Sequence, residues 1–281
     1  MTETPVPDAI PIVDPDDPRL ADYRQVRERD LVGRQGRFIA EGQVVLEKLA
    51  AGGRHGLDSV LVADKRVAAL RPLLSTLPAS VPVYAAGQAV MDAVVGFSIH
   101  RGILAVGARR DLDPDALLAG LPREALVMGL VGIANHDNLG GLFRNAAAFG
   151  VDAVLLDDGC CDPLYRKAIR VSVGAALTLP FARAGSSEEL AGRLEAAGFS
   201  LLALSPRGET ELSAVTPAVR TAVLFGAEGP GLPERLIGRA QGVRIDMAGG
   251  FDSLNVATTS GIVLHQLVAI RRRSRRDKAL S

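Results

Sequence analysis

Ala125-Leu-Val-Met-Gly-Leu-Val-Gly-Ile133, running on through Asn135-His-Asp-Asn-Leu-Gly-Gly-Leu-Phe-Arg144-Asn-Ala-Ala-Ala-Phe-Gly150, is the stretch that decides the fold class. Its first part is continuously apolar, the pattern of a strand covered on both faces rather than of one with a wet side. The polar run Asn135–Asn138 supplies helix N-cap candidates, and Leu142, Ala146 and Phe149 recur at helical spacing, so a helix is predicted over Gly140–Phe149. A buried strand, a short polar loop and a helix make one unit of an α/β protein with a parallel sheet.

The alternation continues toward the C-terminus. Strands are predicted over Ala125–Ile133, Ala153–Asp157, Thr178–Phe181, Ser200–Leu204, Ala222–Gly226 and Val243–Met247. Helices are predicted over Pro163–Val171, Ser187–Ala197, Pro233–Arg239 and Leu254–Arg273. Toward the N-terminus the same alternation is weaker. Apolar runs at Ser59–Ala63, Val81–Ala85 and Gly102–Val106 alternate with helical patterns at Ala40–Ala51, Lys65–Leu74 and Gln88–Val94. A further helical pattern at Asp22–Asp30 precedes the Gly/Arg segment Gly33–Gly36. The expected organisation is an extended Pro- and acid-rich tail (1–20), a small α/β domain (21–110), a helical linker (111–123), a larger parallel-sheet domain (124–272) and a basic tail (273–281).

Composition bounds the function classes. The chain has 281 residues, 48% hydrophobic and 23% charged, which excludes fibrous, disordered and disulfide-scaffold readings. Apolar stretches reach about ten residues, against the ~18–20 that cross a bilayer. No basic region followed by an apolar run opens the chain, and the only cysteines, Cys160 and Cys161, are adjacent. With four scattered histidines, this predicts a reduced, cytoplasmic protein with no metal and no membrane association. Net charge is zero, yet the first 30 residues hold eight acids and four arginines, leaving the remainder basic. Arginine outnumbers lysine 28 to 4. Arginine suits bidentate phosphate contacts, although a genome-wide compositional bias explains the excess equally well.

Ligands of open parallel sheets bind beyond the carboxyl ends of the strands, so the loops there carry the chemistry. After the first strand, Gly140–Gly141 lets backbone approach a ligand, and Arg144 lies off the apolar stripe of its helix. After the fifth comes Leu224-Phe-Gly-Ala-Glu228-Gly-Pro-Gly-Leu232, small residues around a single carboxylate, neither a dinucleotide fingerprint nor a P-loop. After the sixth comes Ile245-Asp-Met247, then Asp252 and Ser253 as cap candidates for the last helix, with Asn255 in its first turn. Read singly, each has a plain alternative: a surface arginine, a glycine-rich turn, a local backbone-bonding Asn.

Together, Asn138-Leu-Gly-Gly-Leu-Phe-Arg144, Phe225-Gly-Ala-Glu228-Gly-Pro-Gly-Leu232 and Ile245-Asp-Met247 with Ser253-Leu-Asn-Val256 resemble the three ordered motifs of the SpoU/TrmH-type RNA methyltransferases of the SPOUT, or α/β-knot, superfamily. Ile169-Arg-Val-Ser-Val-Gly-Ala175 is similar to the segment that family carries between its first two motifs. Phe38-Ile-Ala-Glu-Gly42 is similar to the start of its small substrate-binding domain. The likeness spans roughly residues 124–272. It implies a deep C-terminal trefoil, an S-adenosylmethionine site, a homodimer through the C-terminal domain, and an N-terminal domain that binds RNA. The reaction implied is methyl transfer to a ribose 2′-hydroxyl of structured RNA, with ribosomal RNA favoured over tRNA. The family's catalytic and substrate-contacting side chains map to Asn138, Arg144, Glu228, Ser253 and Asn255, and its cofactor contacts to Leu204, Gly226, Ile245, Met247 and Leu254. One departure is Asp246, where the family usually has proline; its carboxylate lies either beside the adenosine pocket or out in solvent. The alternatives are a catalytically weak RNA-binding ribosome-assembly factor of the same fold, and a doubly wound nucleotide-binding enzyme without RNA chemistry. The basic run Arg271–Arg276 could grip an RNA backbone or simply be a solvated helix end.

Overall fold

In the computed structural model, which describes residues 9–24, 32, 35–95, 102–248 and 253–280, the run Ala125–Leu130 forms a strand with all six residues buried. The chain divides into two compact units. The first is Met1–Arg110 with Leu164–Thr178, and the second is Asp111–Pro163 with Leu179–Ser281.

The first unit holds a five-stranded sheet of β1 (Ile10–Ile12), β2 (Arg37–Glu41), β3 (Gly56–Ala63), β4 (Val83–Ala86) and β5 (Ile103–Ala108), in the order β1-β4-β3-β5-β2. The first three strands in that order run parallel, while β5 is antiparallel to both its neighbours. Helices α1 (Gln43–Gly52), α2 (Asp64–Leu74) and α3 (Gln88–Val95) connect them. Within the stretch 1–20 expected as an extended tail, the described residues hold the short strand Ile10–Ile12 and the start of a 3-10 helix, Pro18–Tyr23. Ile10–Ile12 pair with Tyr84–Ala86, and Leu20 and Tyr23 are buried with Leu61 and Met91. Burying those side chains offsets the entropy of ordering the prolines. The helix expected over Ala40–Ala51 begins at Gln43, because Phe38, Ala40 and Glu41 pair with β5 and Gly42 turns the chain at φ 100°. Helices α6 (Arg166–Val171) and α7 (Ala175–Thr178) belong to this unit although they stand later in the chain. Lys48 of α1 donates from Nζ to Val173 O at 2.7 Å. Residues 25–30 of the helical pattern expected at Asp22–Asp30, and residues 33 and 34 of the Gly/Arg segment, lie outside the described residues.

The second unit is a seven-stranded, all-parallel sheet. Its strands are β6 (Ala125–Leu130), β7 (Ala153–Leu156), β8 (Phe181–Arg183), β9 (Ser200–Leu204), β10 (Thr210–Glu211), β11 (Arg220–Phe225) and β12 (Gln241–Arg244). The order is β10-β12-β9-β11-β6-β7-β8. The linker contains α4 (Pro114–Ala119); α5 (His136–Ala148), α8 (Ser187–Ala196), α9 (Glu234–Ile237) and α10 (Val256–Leu280) complete the unit. Val127, Leu155, Ala203 and Leu224 pack with Leu118, Leu190, Leu194 and Leu236 on one face. Neighbouring residues along each strand point the other way, where Phe143 of α5 meets Phe181 edge-on at 5.6 Å between ring centroids.

Several element boundaries differ from the sequence reading, three of them with a plain local cause or consequence. The strand expected over Thr178–Phe181 starts at Phe181, after Pro180, and Thr178 instead ends α7; a proline has no N–H for a ladder. Helix α5 starts at His136 rather than Gly140, because Asn135 Oδ1 accepts from the Asp137 and Asn138 N–H groups. β12 ends at Arg244, so Ile245–Met247 leave the sheet. Among the described residues no helix is long and apolar enough to cross a membrane.

Candidate active site

The chain runs outward from β6 through β7 to β8, then crosses to β9 on the other side with β11 between, so the strand order reverses beside β6. That reversal is where open α/β sheets leave a crevice. Register aligns the strand ends, Leu130 opposite Phe225 and Val243 opposite Leu204. The loops that follow β6, β9, β11 and β12 therefore emerge together.

The loop after β11 folds back on itself. Gly231 N–H donates to Ala227 O at 3.0 Å, and a Cβ placed on Gly226 would stand 2.3 Å from Gly231 C. Only glycine admits that approach. Glu228 is held exposed at the tip of the loop.

The loop before α10 delivers Asn255, which is the N-cap of that helix: its Oδ1 accepts from Ala257 N–H at 2.9 Å and Thr258 N–H at 3.2 Å. This corrects the expectation that Ser253 or Asp252 caps α10. Ser253 stands two residues too early, and Asp252 lies outside the described residues. With its oxygen committed to the cap, Asn255 points its amide away from the helix. Nδ2 donates to Asn138 Oδ1 at 2.8 Å and to Glu228 Oε1 at 3.1 Å. One side chain thus joins the three loops that sequence analysis singled out.

A cavity of about 450 Å³ opens beside this cluster. Leu204, Gly226, Ile245, Met247 and Leu254 line it, as do Glu228, Ser253 and Asn255. Asn138, 8% exposed, is not among the lining residues and reaches the cavity through Asn255. Arg144 also lies outside the lining, exposed on α5, with no hydrogen bond or ion pair to any described residue. Ser205 and Pro206 form a wall that motif reading missed. They follow the carboxyl end of β9, and the strand-end rule applied there was enough to find them.

Asp246 turns away from the cavity. Its Oδ1 accepts from Arg244 Nε at 2.8 Å, while Arg244 Nη1 holds the Gly208 and Glu209 carbonyls. Of the two places left open for this carboxylate, the structure shows the outward one. Arg271, read as part of a possible RNA grip, instead donates to Ala125 O and Ala218 O at 3.0 Å each; side chains beyond Arg273 lie outside the described ones.

Support from beneath was also missed. Asp157 Oδ1 accepts Gly132 N–H at 2.9 Å. Cys160 Sγ accepts Ile133 N–H and donates to Leu130 O, both at 3.3 Å, fixing the chain as it enters the Asn135–Asn138 loop. Burial first, then the Asp157 charge, pushes the Cys160 thiol up, and burial pushes Cys161 up to about 11. Among the described residues no three His, Cys, Asp or Glu side chains are grouped to hold a metal ion.

Comparison with known proteins places these features in a family. Residues 125–265 match the SpoU rRNA Methylase family. An uncharacterized tRNA/rRNA methyltransferase of Mycobacterium bovis is 41% identical over 266 residues, 91% of this chain and 90% of that protein. A crystal structure of an RNA 2′-O ribose methyltransferase superposes with a TM-score of 0.76 at 25% identity, covering 93% of this chain and 99% of the other. An AdoMet-bound rRNA methyltransferase from Sinorhizobium meliloti superposes at 0.79 with 22% identity, over 92% and 97%, a likeness of fold. The α/β architecture with its parallel sheet and the motif resemblance are both borne out: the chain belongs to the SpoU rRNA methylase family.

Proposed function

We propose that this chain is an S-adenosylmethionine-dependent RNA methyltransferase acting on a ribose 2′-hydroxyl, with structured ribosomal RNA as the favoured substrate. The observation that carries the reading is the Asn255 amide, which joins Asn138 and Glu228 at the mouth of the cavity. The cavity falls within the ~300–1,000 Å³ range of small-molecule sites. Its lining suits the cofactor: Leu204, Ile245 and Leu254 offer apolar walls for an adenosine, and the loop from Gly226 to Gly231 brings backbone to the wall beside them. Bound there, the cofactor supplies an electrophilic methyl group on a sulfonium.

The chain's own residues then have two tasks. A ribose hydroxyl is a weak nucleophile at neutral pH, so it must be held in line and lose its proton. Arg144 is free to take an RNA phosphate and to stabilise the developing alkoxide. A guanidinium is a poor base, so the proton passes to phosphate or water. Glu228 and Asn255 orient the ribose, Asn138 acts through Asn255, and Ser253 contacts the cofactor's methionine portion. In this reading the small N-terminal domain (21–110) binds RNA, the C-terminal segment is threaded as the family's trefoil, and two copies pair through the C-terminal domain.

The test uses labelled S-adenosylmethionine and bulk RNA from a cell lacking the protein. A 2′-O-methyl group blocks alkaline cleavage of the next phosphodiester, so label in alkali-resistant dinucleotides that disappears with Arg144→Ala supports the proposal. Label in alkali-sensitive mononucleotides moves the chemistry to a base and refutes it. RNA binding without transfer at any assembly stage favours the ribosome-assembly reading.

A further inference from the structure

We propose that Asn145 is a positioning residue of this site, holding Asn255 in place through the first turn of α10. The inference rests on the methyl-transfer reading above and adds a residue outside the three-loop cluster.

Asn145 lies on α5 beside Arg144 and does not line the cavity. Its Nδ2 donates to Ala257 O at 2.6 Å and to Ser260 Oγ at 2.9 Å. Ser260 is fully buried and its own hydroxyl donates to Ala257 O at 2.7 Å. Both amide hydrogens of Asn145 are therefore spent on α10. Ala257 is also a residue whose N–H is capped by Asn255 Oδ1. One amide grips the carbonyl and the other the N–H of the same residue, two positions into the helix.

The helices meet closely at this level. A Cβ on Gly141 would stand 2.7 Å from Ala257 Cβ, and one on Gly261 3.4 Å from Asn145 Nδ2. Neither helix can slide or rotate there without a clash on one side or a lost hydrogen bond on the other. Asparagine is a poor helix former in a helix interior, so its use at this position in α5 is accounted for by that cross-helix contact. The consequence falls on Asn255. Its bonds to Asn138 and Glu228, at 2.8 and 3.1 Å, would be broken by a shift of the helix end of about 1 Å.

The decisive variant is Asn145→Asp, which keeps size and shape but turns an acceptor toward Ala257 O and Ser260. Hydrogen exchange of the peptide covering Ala257 and Thr258 reads the cap directly. Expected are exchange there faster by about fivefold or more, and kcat lower by about tenfold with KM for RNA within about twofold. In an Asn255→Ala background the same substitution should change kcat by less than about twofold, because the residue it acts through is gone. Unchanged exchange at Ala257 and Thr258 overturns the inference. So does an equal loss of kcat in both backgrounds, which would mark Asn145 as a general stability residue. Asn145→Ala removes the amide without adding charge and carries the same expectations if the Asp variant does not fold. A wild-type chain that transfers no methyl group would refute the proposed function, while the exchange measurement still decides what Asn145 holds.

Discussion

Asn255 donates its side-chain amide to Asn138 Oδ1 at 2.8 Å across 117 residues of chain, and the same nitrogen reaches Glu228 Oε1. Its oxygen meanwhile caps α10. Asn255→Asp separates the two jobs, since Asp caps as well as Asn but has no donor to offer. The midpoint of thermal unfolding should stay within about 2 °C of wild type. Methyl transfer should fall about 100-fold, as for other lost orienting hydrogen bonds. A large fall in melting temperature with little kinetic change would reverse the assignment.

Arg144 is exposed and makes no bond to any described residue, so its side chain contributes little to stability. Arg144→Ala should leave the melting temperature unchanged while reducing transfer by about 100-fold or more. Arg144→Lys keeps the charge and loses the planar fork. Activity near wild type in that variant would count against bidentate phosphate recognition.

Gly226→Ala forces a methyl group to within 2.3 Å of Gly231 backbone. The loop must open, at a cost of about 1–3 kcal/mol. Because that loop forms one wall of the cavity, calorimetry should find S-adenosylmethionine binding weakened by about tenfold or more. Wild-type affinity in this variant would remove the loop from the cofactor site.

The two adjacent free cysteines predict a pH dependence. Burial holds Cys161 up at about 11 and raises Cys160 further in the same direction. Between the unfolded thiol value of about 8.5 and the folded one, the folded chain keeps protons that the unfolded chain releases. Stability from these thiols is thus complete below about pH 8 and declines as pH rises through 9 to 11. A disulfide reagent at pH 8 should label the native protein at least about tenfold more slowly than the denatured chain, since the thiolate is the reactive form. Equal rates would show that the thiols are neither buried nor raised.

Asp246 is paired with Arg244 and mostly solvent-exposed. Asp246→Ala should cost less than about 1 kcal/mol of stability. With its carboxylate directed away from the cavity, cofactor affinity should change less than about threefold. A larger change would place the carboxylate at the cofactor.

Much of the architecture was legible along the chain. Continuous apolar runs such as Ala125–Leu130 and Ala222–Phe225 mark strands buried on both faces, and they are found there. What escaped were features whose cause is distant in sequence. Ile10–Ile12 is a strand only because Tyr84–Ala86 offers it an edge. Arg37–Glu41 pairs with Ile103–Ala108, which no local pattern announces. Residues 164–178 cluster with the first 110, not with the segments on either side of them.

The sequence by itself determined the class of the fold, the family, and which polar side chains stand at strand ends, because periodicity and short motifs are local properties. Tertiary structure alone decided that Asn255 rather than Ser253 caps α10, that its amide bridges Asn138 and Glu228, that Asp246 faces outward, and that Arg271 is spent on backbone carbonyls. The physical reason is that a hydrogen bond is chosen by distance and direction. The Asn138 and Glu228 partners of Asn255, and the carbonyl that Arg271 holds 146 residues away, come within reach only when the parallel sheet has set its strands side by side. The cap and the Arg244–Asp246 pair are local contacts whose choice depends on where the chain leaves the sheet.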